Sequence, residues 1–204
     1  MRDHERTSPQ RSGFSRRAFL KGSGAVAAAT ALSTAPQQVF GQGGNTAVLA
    51  AGSKSIELNV NGASKMVKVE NRTTLLDALR YGLDLTGAKP VTSDGSSGAS
   101  TVLVDGKPMT ASTMLAVECV GKKIETVESL GGDKPDAVCQ AFVKHDAMQC
   151  GFCTPGFVVA VRAFLNKNPQ ATEQQIREGL NGNLCRCGTY ANVIQAAVAV
   201  AKGG

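Results

Sequence analysis

Four of the chain's six cysteines fall into two tight pairs, Cys150-Gly-Phe-Cys153 and Cys185-Arg-Cys187, separated by the 31 residues from 154 to 184. No other feature constrains the chain as strongly. Thiols placed this close together are of most use when something bridges them: a metal ion, an inorganic cluster or disulfide bonds.

Each candidate makes a different demand on spacing. Structural zinc sites usually repeat C-x2-4-C on both sides or add histidine, whereas the second pair here is separated by one residue and the only histidines are His4 and His145. A Rieske centre needs two histidine ligands, and His4 lies in a basic N-terminal segment of another character. C-type haem attachment needs C-x-x-C-H, but Thr154 follows Cys153. A thioredoxin-like pair would follow a strand in a βαβ pattern, which is absent here. The residues leave a [2Fe–2S] cluster held by four thiolates, with zinc or disulfides as the competing readings.

The surrounding residues carry a resemblance. Gln149-Cys-Gly-Phe-Cys-Thr-Pro-Gly156, followed by Gly182-Asn-Leu-Cys-Arg-Cys-Gly-Thr-Tyr190, closely resembles the helical iron–sulfur domain of the molybdenum hydroxylases, the xanthine dehydrogenase and aldehyde oxidoreductase family. The chain resembles that family's small subunit over about residues 55 to 200, and its Cys-Gly-Thr-Tyr ending is similar to the aldehyde and isoquinoline oxidoreductase branch. The resemblance implies Cys150, Cys153, Cys185 and Cys187 as the ligands of one [2Fe–2S] cluster. It also implies that Gln149 and Cys187 lie against the pterin of a molybdenum cofactor held by a large partner subunit.

The formal charge of +6 does not point to nucleic acid. Residues 1–41 carry six Lys/Arg against two Asp/Glu and so account for +4 of it; aromatic content is 4%, and no basic patch with interleaved aromatics follows. The basic head reads as an export signal. Ser15-Arg16-Arg17-Ala18-Phe19-Leu20-Lys21 fits the twin-arginine pattern, and the Ala-rich run from Gly22 to Thr34 is too short for a membrane span, which needs about 20 apolar residues. Export by that route carries folded, cofactor-loaded proteins and predicts a periplasmic location. Residues 1–41 are assigned to the signal and 42–54 to a linker rich in Gly and Ala.

Residues 55–130 read as a small α+β sheet domain. Ile56, Leu58 and Val60 alternate, Asn61-Gly62 marks a hairpin turn, and Met66, Val67 and Val69 supply a second strand. Thr74 caps a helix through Tyr81; Thr101–Val104 with Asp105-Gly106 gives a strand and turn, and Ile124–Val127 another strand. This segment resembles the family's plant-type ferredoxin domain of β-grasp fold, whose cluster loop has the spacing C-x4-C-x2-C with a fourth cysteine beyond. Laid on that spacing, the ligand positions hold Thr92, Ser97, Ser100 and Ser112. Neutral hydroxyls do not replace four soft thiolates at iron, so this half is expected to keep the fold without a cluster and to serve in docking. Cys119 and Cys139 sit in apolar stretches and read as structural thiols.

Residues 131–204 read as four helices: about Pro135 to Met148 with Val138, Phe142 and Val143 inward, Thr154 (as N-cap) to Asn166, a Thr172-Glu-Gln-Gln175 capping box opening a helix to Leu180, and Ala191 to Ala201. His145 reads as a helix-end or surface residue, and Arg186 as a solvent spacer or a partner contact. Asn71-Arg-Thr73 forms a glycosylation sequon of little weight beside a bacterial-type signal. The chain offers no paired carboxylates and no nucleophile–base pair. The resemblance therefore implies an electron-transfer subunit, relaying electrons from a partner's molybdenum centre that oxidises aldehydes or N-heterocycles to an acceptor such as a cytochrome c or flavin subunit. The rival readings are a non-redox assembly subunit with zinc or disulfides at the late cysteines, and a free-standing ferredoxin.

Overall fold

A computed structural model of the chain describes residues 52–203; the expected signal and most of the expected linker lie outside them. Five strands form one sheet in the order β2-β1-β5-β3-β4. Strands β1 (Ser53–Val60) and β2 (Ala63–Glu70) pair antiparallel up to Val60↔Ala63. The turn needs two residues with positive φ to match the strands' twist, and Asn61 at 54° and Gly62 at 78° provide them. Alternation then buries Ile56, Leu58, Val60, Val67 and Val69 while Met66 points outward.

Strands β3 (Thr101–Val104) and β4 (Lys107–Thr110) form a second hairpin across Asp105 and Gly106, both at positive φ. The short β5 (Lys123–Glu125) lies between the hairpins, parallel to β1 and antiparallel to β3. Asn61 locks the junction: its Nδ2 donates to Thr126 Oγ1 at 2.9 Å and its Oδ1 accepts from Thr126 N–H at 2.8 Å. Strand β4 escaped the sequence reading because it is a largely exposed edge containing Pro108, and an edge is where a sheet tolerates a residue with no N–H.

The expected helix after Thr74 is short. Helix α1 (Leu75–Asp77), capped by Thr74 Oγ1 accepting from Asp77 N–H at 3.1 Å, passes into a π turn over Ala78–Gly82. It buries Leu75, Leu76, Ala78 and Leu79 against the sheet. The β-grasp arrangement is thus complete, with one core between sheet and α1. Cys119 closes a 3-10 turn, Ala116–Cys119, in that core, fully buried and donating its thiol to Leu115 O at 3.6 Å.

Four helices follow: α2 (Ala137–Lys144), α3 (Thr154–Lys167), α4 (Glu173–Gly179) and α5 (Tyr190–Ala201). Their own core gathers Val138, Phe142, Phe157, Val161, Ile176 and Val193, and Leu103 of β3 meets Val159 and Ala163 of α3 in a smaller apolar contact joining the two halves. The capping box at Thr172 and Gln175 forms as expected. Two details differ. Helix α2 stops at Lys144 because Asp146 takes φ 50°, and Val143, expected inward, is 75% exposed while Ala141 takes the inner position. Thr154 is the first helical residue of α3 and not its cap; the cap position belongs to Cys153, which makes no side-chain cap bond.

Asp136 ties α2 to α3. Its Oδ1 accepts from Val138 N–H at 2.8 Å as the N-cap of α2 and also from Arg162 Nε at 3.0 Å on α3, in a pair whose side chains are only 24% and 20% exposed. Replacing Asp136 with Ala removes a cap worth ~1 kcal/mol and a partly screened ion pair worth up to ~1 kcal/mol. Denaturant unfolding is expected to show a loss of about 2 kcal/mol, with Asp136→Asn losing about half of that because it keeps the cap.

Candidate iron–sulfur site

The two cysteine pairs are brought together by helix starts. Cys153 sits at the N-cap of α3, with its carbonyl accepting from Phe157 N–H at 3.1 Å. Gly151, at φ 78°, lets the chain turn between Cys150 and Cys153. Cys185 and Cys187 lie on the turn before α5, where Gly188 at φ 81° donates its N–H to Cys185 O at 3.3 Å.

The thiols meet pairwise, one from each motif. Cys153 and Cys185 form an inner pair, each thiol near enough to shift the other's titration, and Cys187 is influenced in the same way by Cys150, its partner in an outer pair. Cys185 is buried, Cys153 partly buried, and the outer two are exposed. All six cysteines of the chain are free thiols. Among the described residues no three His, Cys, Asp or Glu side chains converge tightly enough to hold a single metal ion.

The inner pair is electrostatically unequal. Burial pushes the Cys185 thiol up, but this is outweighed by the Thr189 hydroxyl and backbone N–H, the Cys153 thiol and the Gly188 N–H, which together pull it down to about 7. Burial, followed by the adjacent Cys185 thiol and the other neighbouring sulfurs, pushes Cys153 up to about 12. Four donors therefore already favour negative charge at Cys185.

The residues around the sulfurs went unassigned in the sequence reading. Thr189 Oγ1 donates to Cys185 Sγ at 3.1 Å, and Tyr190 OH accepts from Cys185 N–H at 2.8 Å. Tyr190 is steadied by Phe157, edge to face, with ring centroids 6.1 Å apart. Both Thr189 and Tyr190 lie within the Cys-Gly-Thr-Tyr stretch; a hydroxyl so soon after the last cysteine was the available signal. The hydroxyl of Thr154, next to Cys153, is buried with no partner.

A [2Fe–2S] cluster fits these residues. Four thiols in two pairs are the donor set such a cluster takes, and helix-start N–H groups favour negative charge. The orphaned Thr154 hydroxyl, costly if left unpaired, is a donor in search of an acceptor beside the sulfurs. Gln149 is exposed beside Cys150, and Arg186 is exposed between the last two cysteines. Phe152, Leu184 and Met148 add about half-exposed apolar side chains around the same cysteines. His145 caps α2, donating its N–H to Ala141 O at 2.9 Å. Cys139 stands apart from the pairs, half-buried and donating to Leu130 O at 3.4 Å.

In the β-grasp half, Thr92, Ser97, Ser100 and Ser112 are also paired. Thr92 Oγ1 and Ser97 Oγ lie 3.1 Å apart, and Ser100 Oγ and Ser112 Oγ 3.0 Å apart. Hydroxyl meets hydroxyl at each of the four positions.

The chain is similar to proteins already known. The [2Fe-2S] binding domain family matches residues 126–198, and the TAT (twin-arginine translocation) pathway signal sequence matches residues 13–33, which marks the chain for export to the periplasm. The aldehyde oxidoreductase iron-sulfur-binding subunit of Escherichia coli O157:H7 is 38% identical over 199 residues, spanning 90% of this chain and 86% of that one. The nicotinate dehydrogenase small FeS subunit of Eubacterium barkeri is 41% identical over 68% of this chain and 89% of its own. The solved quinoline 2-oxidoreductase of Pseudomonas putida 86 superposes with a TM-score of 0.71 at 42% identity, over 74% of this chain and 94% of the matched one. With relatives this similar across most of their length, the chain belongs to the small iron–sulfur subunits of the molybdenum hydroxylase family, the group of the xanthine dehydrogenases and aldehyde oxidoreductases.

Proposed function

We propose that this chain is the electron-transfer subunit of a periplasmic molybdenum hydroxylase and that it holds a single [2Fe–2S] cluster, on Cys150, Cys153, Cys185 and Cys187. The observation that carries this reading is the contrast between two pairs of sulfurs in the helical half and two pairs of oxygens in the β-grasp half. When bound, such a cluster takes up and releases one electron at a time, at a potential set by hydrogen bonds, charge and exposure.

The chain's own residues set the conditions for that exchange. Thr189 and the Thr189 and Gly188 N–H groups hold Cys185 toward its charged form, and Thr154 offers a further hydroxyl beside Cys153. The outer pair, Cys150 and Cys187, remains at the surface with Gln149. This supports their assignment as the side facing the pterin of a large molybdenum-cofactor subunit, where an aldehyde or N-heterocycle would be oxidised. A cytochrome c or flavin subunit would accept the electrons through another face of the helical half, since the loop of Thr92, Ser97, Ser100 and Ser112 has only hydroxyls to offer iron.

Metal and sulfide analysis of the purified complex tests the reading. The expected content attributable to this chain is about two iron atoms with matching acid-labile sulfide, as one [2Fe–2S] cluster requires. Twice that iron would establish a second cluster and refute the assignment of the hydroxyl loop. A colourless chain containing zinc or disulfides would support the assembly-subunit alternative instead.

A further inference from the structure

The loop carrying Thr92, Ser97, Ser100 and Ser112 touches the second cysteine motif directly. Leu184 N–H donates to Ser97 O at 2.9 Å, and Asn183, itself buried, donates through Nδ2 to Gly98 O at 3.0 Å. The backbones approach so closely that a Cβ on Gly98 would stand 2.4 Å from Gly182 O, and one on Gly156 would stand 2.3 Å from Gly98 O. Residues 97–99 are therefore wedged between Gly182–Leu184, which runs straight into Cys185, and the first turn of α3, which opens at Cys153.

The same wedge is held from behind by hydroxyls. Thr92 Oγ1 bonds Ser97 Oγ and also accepts from Ser97 N–H at 3.3 Å. Ser100 Oγ bonds Ser112 Oγ and accepts from Ser112 N–H at 3.3 Å. Thr101 Oγ1 adds a bond to Gly98 O at 2.6 Å. Ser97 and Ser100 are 7% and 3% exposed, so hydroxyls without partners there would weaken the loop instead of fastening it.

We propose that Thr92, Ser97, Ser100 and Ser112 are positioning residues for the late cysteines: their two hydroxyl pairs lock the 92–101 loop, and the locked loop fixes Asn183 and Leu184 and thereby Cys185. The hydroxyl pairs give this loop a cross-link of its own, and its work is to brace a neighbouring site. The link to iron rests on the reading of Cys185 as a ligand; the brace itself does not.

Thr92→Val with Ser100→Ala removes both hydroxyl pairs at nearly constant volume. In the full chain within its complex, amide hydrogen exchange over residues 183–185 is expected to rise by about tenfold or more, while the β1–β2 hairpin stays at its wild-type rate. Release of iron to a chelator is expected to quicken several-fold. Thr92→Ser, which keeps the hydroxyl, should restore the wild-type exchange on that side of the loop, and Ser64→Ala on the distant hairpin should change neither readout. If the double variant does not fold, Thr92→Val alone and Asn183→Ala, which opens the contact from the other side, are expected to give the same local rise. Unchanged exchange at 183–185 with the hydroxyl pairs gone would overturn the proposal, as would a rise spread evenly over the chain. A wild-type chain lacking iron would end the cluster reading, and the exchange comparison would still decide the brace.

Discussion

Replacing Cys185 with Ser is expected to strip the chain of nearly all its iron and of its visible iron–sulfur absorption. The seryl hydroxyl ionises far too weakly at neutral pH to stand in for a thiolate that is among iron's preferred soft ligands. Cys185 is also the most supported of the four sulfurs: Thr189 donates to it, Tyr190 holds its N–H, and the Cys153 thiol lies near enough to lower its pKa. Losing it therefore removes the anchor of the inner pair. Cys139→Ala supplies the contrast. Its thiol donates only to Leu130 O, and this variant should retain the full iron content of about two atoms per cluster. Iron determination with absorption spectroscopy on both variants checks the pair, and retention of wild-type iron by Cys185→Ser would remove the cysteine from the ligand set.

Replacing Phe157 with Ala is expected to cost ~3–5 kcal/mol of folding stability. Phe157 is 1% exposed at the centre of the helical core, packs edge to face on Tyr190, and lies one turn beyond Cys153 on α3. A deficit of that size is a large part of the ~5–15 kcal/mol that holds a domain of this kind together. Because Phe157 also steadies the tyrosine that receives the Cys185 N–H, iron content should fall with stability. Tyr190→Phe separates the two effects: it keeps the aromatic contact, gives up only the acceptor, and should cost ~1 kcal/mol. Chemical denaturation of the two variants side by side distinguishes them, and a Phe157→Ala loss no larger than that of Tyr190→Phe would contradict the packing argument.

Features governed by neighbouring residues were readable from the chain itself. The Asn61-Gly62 hairpin and the Thr172–Gln175 capping box follow from turn φ values and cap chemistry. Other features were hidden for identifiable reasons. Strand β4 has no alternating pattern because it lies at an exposed edge, and α2 ends early because Asp146 adopts a conformation that its residue type permits but does not require. Thr154 has a cap residue's chemistry, yet the turn containing Cys153 moves the helix start one position back and leaves the Thr154 hydroxyl facing the interior.

The sequence by itself determined the donor chemistry: which half has sulfur and which has oxygen, and the twin-arginine signal that precedes both. Only the tertiary structure decided which thiol meets which, Cys153 with Cys185 and Cys150 with Cys187, and that the hydroxyl loop grips Asn183 and Leu184. Ligand type is a property of single residues and survives in any listing of them. Pairing across 31 intervening residues, and a contact 85 positions apart, depend on how the helices pack and on two glycines that leave room for the backbones to touch, and those distances come into being only when the chain closes on itself.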